Sequence, residues 1–243
     1  MKLVISYNPN PVLIDDFIYE ILKRYNKDVV AVLTTDFKSI IKRNLIQKID
    51  HTLTRLLLVG PFEGFKHQFN LIKSRFVEDT RIADLCKELN IPTFHTNTIN
   101  SQEAIDYLNK FEPDLIFNQA NHIIKKPILD LPRIGVLSIH GGRLPRYRGS
   151  FSPFWQLYNK EKERGIVYSI MDEKLDSGPI VLQEMLPIKN QQNVNALIHE
   201  KFSWAIENFG RVVEKLDVPN WQDVVEENND SEADIYTFPK FGD

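Results

Sequence analysis

Short apolar runs alternate with stretches of helical period through the first half of this chain, and that rhythm restricts it to layered α/β architectures. LVIS (Leu3–Ser6) and VVAVLT (Val29–Thr34) have the length and β-branched content of strands, while Val12–Tyr25 between them repeats its apolar residues at helical spacing. Leu56–Val59, Leu115–Asn118 and Gly135–His140 predict three more strands, with helices predicted over Thr80–Leu89 and Ser101–Phe111. Strands that alternate with helices require right-handed crossovers. The expected fold is therefore a Rossmann-like, mostly parallel sheet with helices on both faces. Ligands of such sheets gather at the carboxyl ends of the strands, close to a switch in strand order.

After Gly165 the pattern changes. Ile166–Met171 and Ile180–Ile188 read as strands flanking the loop Asp172–Pro179, and Val194–Leu216 reads as a long helix. Asn220–Asp234 is polar and acidic and is expected to be an exposed connection, whereas the aromatic tail Ile235–Phe241 is expected to pack back on the body. This divides the chain into a catalytic core over residues 1–190 and a C-terminal helix and tail over 191–243. Phe62, Phe65, Phe69, Ile72 and Phe76 recur at helical spacing, either as a core-facing stripe or as a lid or partner surface.

Charge and composition narrow the partners. A net charge of −3 over 243 residues argues against a nucleic-acid partner. Cys86 is the only cysteine, so one chain holds neither a disulfide framework nor a cysteine metal site, and a reducing cytoplasm fits. The first apolar run is cut short by Asn8 and Pro9, and no later run approaches the about eighteen residues of a membrane span. A cytoplasmic protein without a membrane partner is expected. Nothing resembles a Gly-rich phosphate fingerprint, an HExxH helix or a GxSxG elbow.

The chemistry is concentrated in LSIHGGRLPRYRG, Leu137–Gly149. His140 ends a strand, Gly141 and Gly142 permit close backbone approach, and Arg143, Arg146, Tyr147 and Arg148 suit an anionic ligand. A second loop, DEKLDSGPI, offers Asp176. A carboxylate beside an imidazole selects its tautomer and favours the protonated form, which makes a better acid toward a developing oxyanion. Ser138 lacks the context of a nucleophile.

These residues resemble the folate-dependent formyltransferases, whose signature is Asn-x-His, a Leu-Pro-x-Tyr-Arg-Gly loop and, further on, a Leu-Asp-x-Gly-Pro/Asp loop. The corresponding residues are Ser138-Ile139-His140, Leu144–Gly149 and Leu175–Pro179, and the likeness extends from Ala120 to Leu186. The resemblance implies a Rossmann-like fold, 10-formyl-tetrahydrofolate as co-substrate and no metal. It also implies that His140 polarises the formyl oxygen while Asp176 orients it. Asn118–Ile124 matches the stretch that lines the pterin site, with Asn118, Asn121, His122, Ile124 and Asp172 as the folate-binding residues.

Ser138 departs from the pattern, since the family has an asparagine there whose amide donates to the formyl oxygen. Losing one such donor typically costs on the order of a hundred- to a thousandfold in rate. Either Ser138 donates itself, Asn118 or Asn121 substitutes, or the site is weakened. For the acceptor, a transfer-RNA-acting member would carry an additional basic C-terminal domain. Ribonucleotide-acting members hold a phosphate on a glycine-rich turn after the first strand, which here reads Ser6–Pro11 without glycine. The reading that remains is a nucleotide-activated amino sugar, approached by Asn8, Tyr147 and Arg148. The partners are thus small molecules, with room for a homodimer. A non-sugar amine acceptor stays open, as does a folate- or nucleotide-binding module with weakened catalysis.

Overall fold

A computed structural model describes residues 1–9, 14–36, 54, 80–120 and 122–239. One sheet of seven strands organises them. Its parallel part comprises β1 (Leu3–Tyr7), β2 (Val29–Thr35), β3 (Thr93–Thr96), β4 (Leu115–Gln119) and β5 (Gly135–His140), in the order β3-β2-β1-β4-β5. A two-residue strand, β6 (Arg148–Gly149), stands apart from it. The long hairpin β7 (Glu163–Ile170) and β8 (Ile180–Pro187) then extends the sheet antiparallel from β5.

The helices are α1 (Ile14–Tyr25), α2 (Arg81–Glu88), α3 (Gln102–Asn109), α4 (Lys126–Leu129), α5 (Ser152–Tyr158) and α6 (Val194–Leu216). α1 follows the helix dipole, with Asp15 and Asp16 in its first turn and Lys23 and Arg24 in its last. Ser101 and Asn193 cap α3 and α6 by accepting from the amides of Ala104 and Ala196. Alternate strand residues feed two separate cores. Leu3, Ile5, Phe117, Leu137 and Tyr168 pack with Phe17 and Ile21 of α1 and Phe202 and Phe209 of α6. On the opposite face Val4, Leu33, Ile116 and Val136 pack with Ala104 and Leu108 of α3 and Ile128 of α4. Helices on both faces of a mostly parallel sheet are thus observed as expected.

Two expectations meet the structure differently. Leu56–Val59 and the phenylalanine-rich stretch of residues 62–76 lie outside the described residues. Thr93–Thr96 pairs with β2 and is a strand that the sequence does not predict. It has four residues, with Thr93 and His95 exposed and Phe94 as its one apolar side chain, and so lacks the apolar alternation by which a strand is recognised.

Because the chain lays down β2 and β3 on one side of β1 and then crosses to β4 and β5, the order switches between β1 and β4. A ligand crevice belongs at the carboxyl ends of these two strands. α6 belongs to the same core as the sheet: Phe209 lies with its ring 4.9 Å from Phe117 and 5.4 Å from Tyr25. Phe209→Ala is expected to cost about 3–5 kcal/mol while leaving a single cooperative transition. Urea unfolding followed by both far-ultraviolet dichroism and tryptophan fluorescence checks this, and separate transitions for the two probes would contradict it.

Candidate active site

β5 is extended to its last residue, His140, which pairs with Val167 of β7 and is 9 % exposed. Its Nε2 lies 2.6 Å from the backbone carbonyl oxygen of Tyr147. A carbonyl only accepts, so Nε2 carries the hydrogen. The other ring nitrogen, Nδ1, stands 3.5 Å from Oδ2 of Asp176. One nitrogen is therefore committed to the backbone, and the other faces a carboxylate.

The loop that closes this clamp leaves no room for side chains at Gly142. A Cβ there would sit 2.8 Å from His140 Nε2 and 2.7 Å from the Tyr147 carbonyl, wedged into the hydrogen bond itself. Gln156 of α5, fully buried, secures the same loop: it donates to the Gly141 carbonyl and accepts from the amides of Arg143 and Gly165.

Asp176 is held from a different direction. Its backbone is left-handed, at φ 49°, and its Oδ2 accepts from the Gly149 amide at 2.8 Å. Asn228, also buried, donates to the carbonyls of Asp176 and Gly178. Arg148 completes the network, donating from Nη2 to both the backbone and side-chain oxygens of Asn228 and from Nη1 to Asp230 at 2.6 Å. Lys174 also donates to Asp230.

Two residues expected on the acceptor side are turned inward. Arg148 is 3 % exposed and its guanidinium is turned onto Asn228 and Asp230, because a buried charge needs partners and these two supply them. Tyr147 is 1 % exposed; its hydroxyl donates to Glu161 and accepts from Asn159, and its ring stacks on Tyr236. Burial and then the Glu161 carboxylate push that hydroxyl up to about 12. The segment expected as an exposed connection, 220–234, buries Asn228 in the heart of this network. The tail does pack back, as β9 (Ile235–Tyr236) beside β6.

At the β1–β4 switch the Asn8 amide nitrogen lies within hydrogen-bonding reach of Thr35 and the Asp36 carbonyl, and 3.4 Å from His122 Nε2. His122 Nε2 is also 3.1 Å from the Thr35 hydroxyl. Ile124 is buried in the second core, and Asp172 caps its own loop by accepting from the Lys174 amide and the Ser177 hydroxyl. Asn121 lies outside the described residues. Asn118 folds back on Ala120, its second donor resting 3.9 Å from the Met171 sulfur, a weak acceptor. Ser138, half-buried, shares its strand face with His140, one residue past the last paired positions Phe117 and Leu137. Sequence reasoning missed Gln156, Asn228 and the Tyr147 carbonyl. A lone amide carries no motif, and a backbone oxygen has no signature at all.

A histidine–carboxylate pair thus stands at the carboxyl end of β5 in a mostly parallel α/β sheet. The comparisons with known proteins then assign the family. Residues 67–204 match the Formyl transferase family, and the chain belongs to it. The methionyl-tRNA formyltransferase of Kosmotoga olearia is 35 % identical over 119 residues, 49 % of this chain and 38 % of that protein. The GDP-perosamine N-formyltransferase of Brucella melitensis is 33 % identical over 143 residues, 58 % of this chain and 55 % of that protein. The chain thus spans about half or less of the length of these relatives.

Among solved structures, the phosphoribosylglycinamide formyltransferase from Anaplasma phagocytophilum superposes with a TM-score of 0.62 at 14 % identity, covering 98 % of this chain and 99 % of that one. An N-formyltransferase from Helicobacter canadensis, in complex with folinic acid and dTDP-3-aminofucose, gives 0.56 at 17 % identity, covering 98 % and 71 %. At such identities these likenesses speak for the fold. Among the described residues no cluster of three or more His, Cys, Asp or Glu side chains could hold a metal, and no helix is long and apolar enough to cross a membrane.

Hydrogen bonds from Lys174 and Arg148 hold the Asp230 carboxyl down at about 2. A carboxyl depressed in the folded state contributes stability that is present above its unfolded value near 4 and is lost as pH falls toward 2. Asp230→Asn is therefore expected to flatten part of the stability loss between pH about 4 and about 2. Thermal unfolding of both proteins across that window, with equal slopes as the contrary result, checks this.

Proposed function

We propose that this protein is a folate-dependent N-formyltransferase that carries a formyl group from 10-formyl-tetrahydrofolate to the amine of a nucleotide-linked amino sugar. The observation that carries the reading is the division of labour at His140, whose Nε2 is fixed on the Tyr147 carbonyl and whose Nδ1 faces Asp176. The sugar acceptor is favoured over transfer RNA because the GDP-perosamine relative aligns over more of both chains than the methionyl-tRNA relative.

The residues present fit a folate co-substrate. A polar row at the carboxyl edge, Ser6, Asn118 and Ser138, includes a buried hydroxyl on Ser6 with no hydrogen-bond partner among the described residues. Ile124 supplies an apolar wall, and Asn118, His122 and Asp172 supply polar groups; Asn8, beside His122, belongs to the acceptor side of the crevice. When bound, 10-formyl-tetrahydrofolate supplies a formyl carbon at an amide-like nitrogen, open to attack by a neutral amine.

The chain's own groups have defined tasks. His140 is assigned to the oxygen on which negative charge gathers, and Asp176, facing Nδ1, orients the ring. The Tyr147 carbonyl keeps the ring from turning, so the imidazole is oriented before any ligand arrives. Low exposure of the imidazole limits competition from water.

A screen of nucleotide-linked amino sugars with 10-formyl-tetrahydrofolate, read by mass, tests the activity through the gain of one formyl group. On the sugar that reacts, His140→Ala and Asp176→Ala should each lower kcat by about a hundred- to ten-thousandfold, and the double variant should cost little more than the worse single one. Fully additive losses would defeat the pair as a unit. No turnover on any amine, with retained binding of a folate analogue, would favour a binding module instead.

Ser138 provides a separate test. The Asn118 donor that rests on the Met171 sulfur gives up little by turning to a ligand, and can stand in for the family's amide. Ser138→Asn should therefore change kcat by less than about tenfold, while Asn118→Ala should cost about a hundredfold. A gain well above tenfold in Ser138→Asn would mean that the wild-type site lacks a donor.

A further inference from the structure

We infer that Asn228, anchored by Arg148, is a positioning residue that sets the orientation of Asp176 toward His140. The inference rests on the proposed pairing of Asp176 with His140 and adds to it the part of the chain that holds the aspartate in place. Residue 228 lies beyond the matched family region, which ends at 204.

The geometry is a closed ring. Asp176 Oδ2 is bonded to the amide of Gly149, and Gly149 follows Arg148 directly. Arg148 donates to the backbone and side-chain oxygens of Asn228, both at 2.9 Å. Asn228 returns to the loop, giving Nδ2 hydrogens to the Asp176 carbonyl at 2.8 Å and the Gly178 carbonyl at 3.0 Å. The Arg148–Gly149 dipeptide therefore grips the aspartate twice, once at its carboxylate and once, through Asn228, at its backbone.

Only an asparagine satisfies the ring. The two carbonyls need two donors on one atom, and Arg148 needs an acceptor on the other, so the orientation of the amide is fixed by its partners. Aspartate would set an acceptor against two carbonyls, and glutamine would carry the same amide one methylene too far. The loop needs this support because Asp176 adopts φ 49° and the following glycine is packed against the Ile170 carbonyl, where a Cβ would overlap. A left-handed non-glycine residue persists only where its surroundings over-determine it. Asn228 is 7 % exposed, so its four contacts are not shared with bulk solvent.

The test compares Asn228→Ala and Asn228→Asp with Asp176→Ala in the full chain. Asn228→Ala should lower kcat by about ten- to a hundredfold with the KM for the amine little changed, since misplacing a catalytic group by about an ångström has that order of cost. In the folate-free protein, the ring-nitrogen NMR resonances of His140 in Asn228→Ala should move toward those of Asp176→Ala. Asn228→Asp should behave like the alanine variant or worse. Wild-type kcat in Asn228→Ala overturns the inference. So does a loss of activity accompanied by a lowered Tm and unmoved His140 resonances, which would make Asn228 structural only. If Asp176→Ala itself turns over normally, the pairing with His140 fails instead, and that result is read independently of Asn228.

Discussion

A guanidinium taken out of water has to be met by acceptors, and the burial of Arg148 governs how the last fifth of the chain is routed. Its partners, Asn228 and Asp230, lie on a stretch that has left α6 and would otherwise be an acidic tail in solvent. Once they are drawn in, Glu226 pairs with Ile180, Ile235–Tyr236 forms a short parallel ladder with Arg148–Gly149, and Tyr236 stacks on Tyr147. The charge is stabilised by hydrogen bonds to the partners it recruits, and those partners shape the loop that carries Asp176. Removing Asn228 would leave the buried guanidinium short of two of its acceptors.

The parallel sheet was legible in the sequence because its central strands are buried on both faces. LVISY, VVAVLTT and LIFNQ read as apolar runs for that reason, and their carboxyl ends follow from the crossovers. Thr93–Thr96 was not legible, since four residues with one apolar side chain, Phe94, carry little strand signal. His140 and Asp176 stood out through the residues around them: two glycines after the first, and Ser177-Gly178-Pro179 after the second. Arg148 illustrates the opposite case. Arginines in a glycine-rich loop suggest a ligand for their charge, and nothing local in the sequence reveals an aspartate far along the chain that serves the same need. Asn228 was invisible for the same reason, its meaning lying wholly in contacts at long range.

The comparisons and the geometry bear on different halves of the same site. The matched residues 67–204 include His140, Tyr147 and Asp176, on which the proposed chemistry rests. The segment that steadies Asp176 lies outside that match.

The order in which a chain leaves the ribosome gives this division a temporal side. His140 and its carbonyl partner are separated by 7 residues, so the imidazole can be fixed soon after that loop is synthesised. Asp230 follows Arg148 by 82 residues, and Asn228 follows Asp176 by 52. Until those late residues emerge, the growing polypeptide carries a fixed histidine and an aspartate whose loop lacks its brace. The loop that carries Asp176 thus gains its brace only once residues 228–230 have been made.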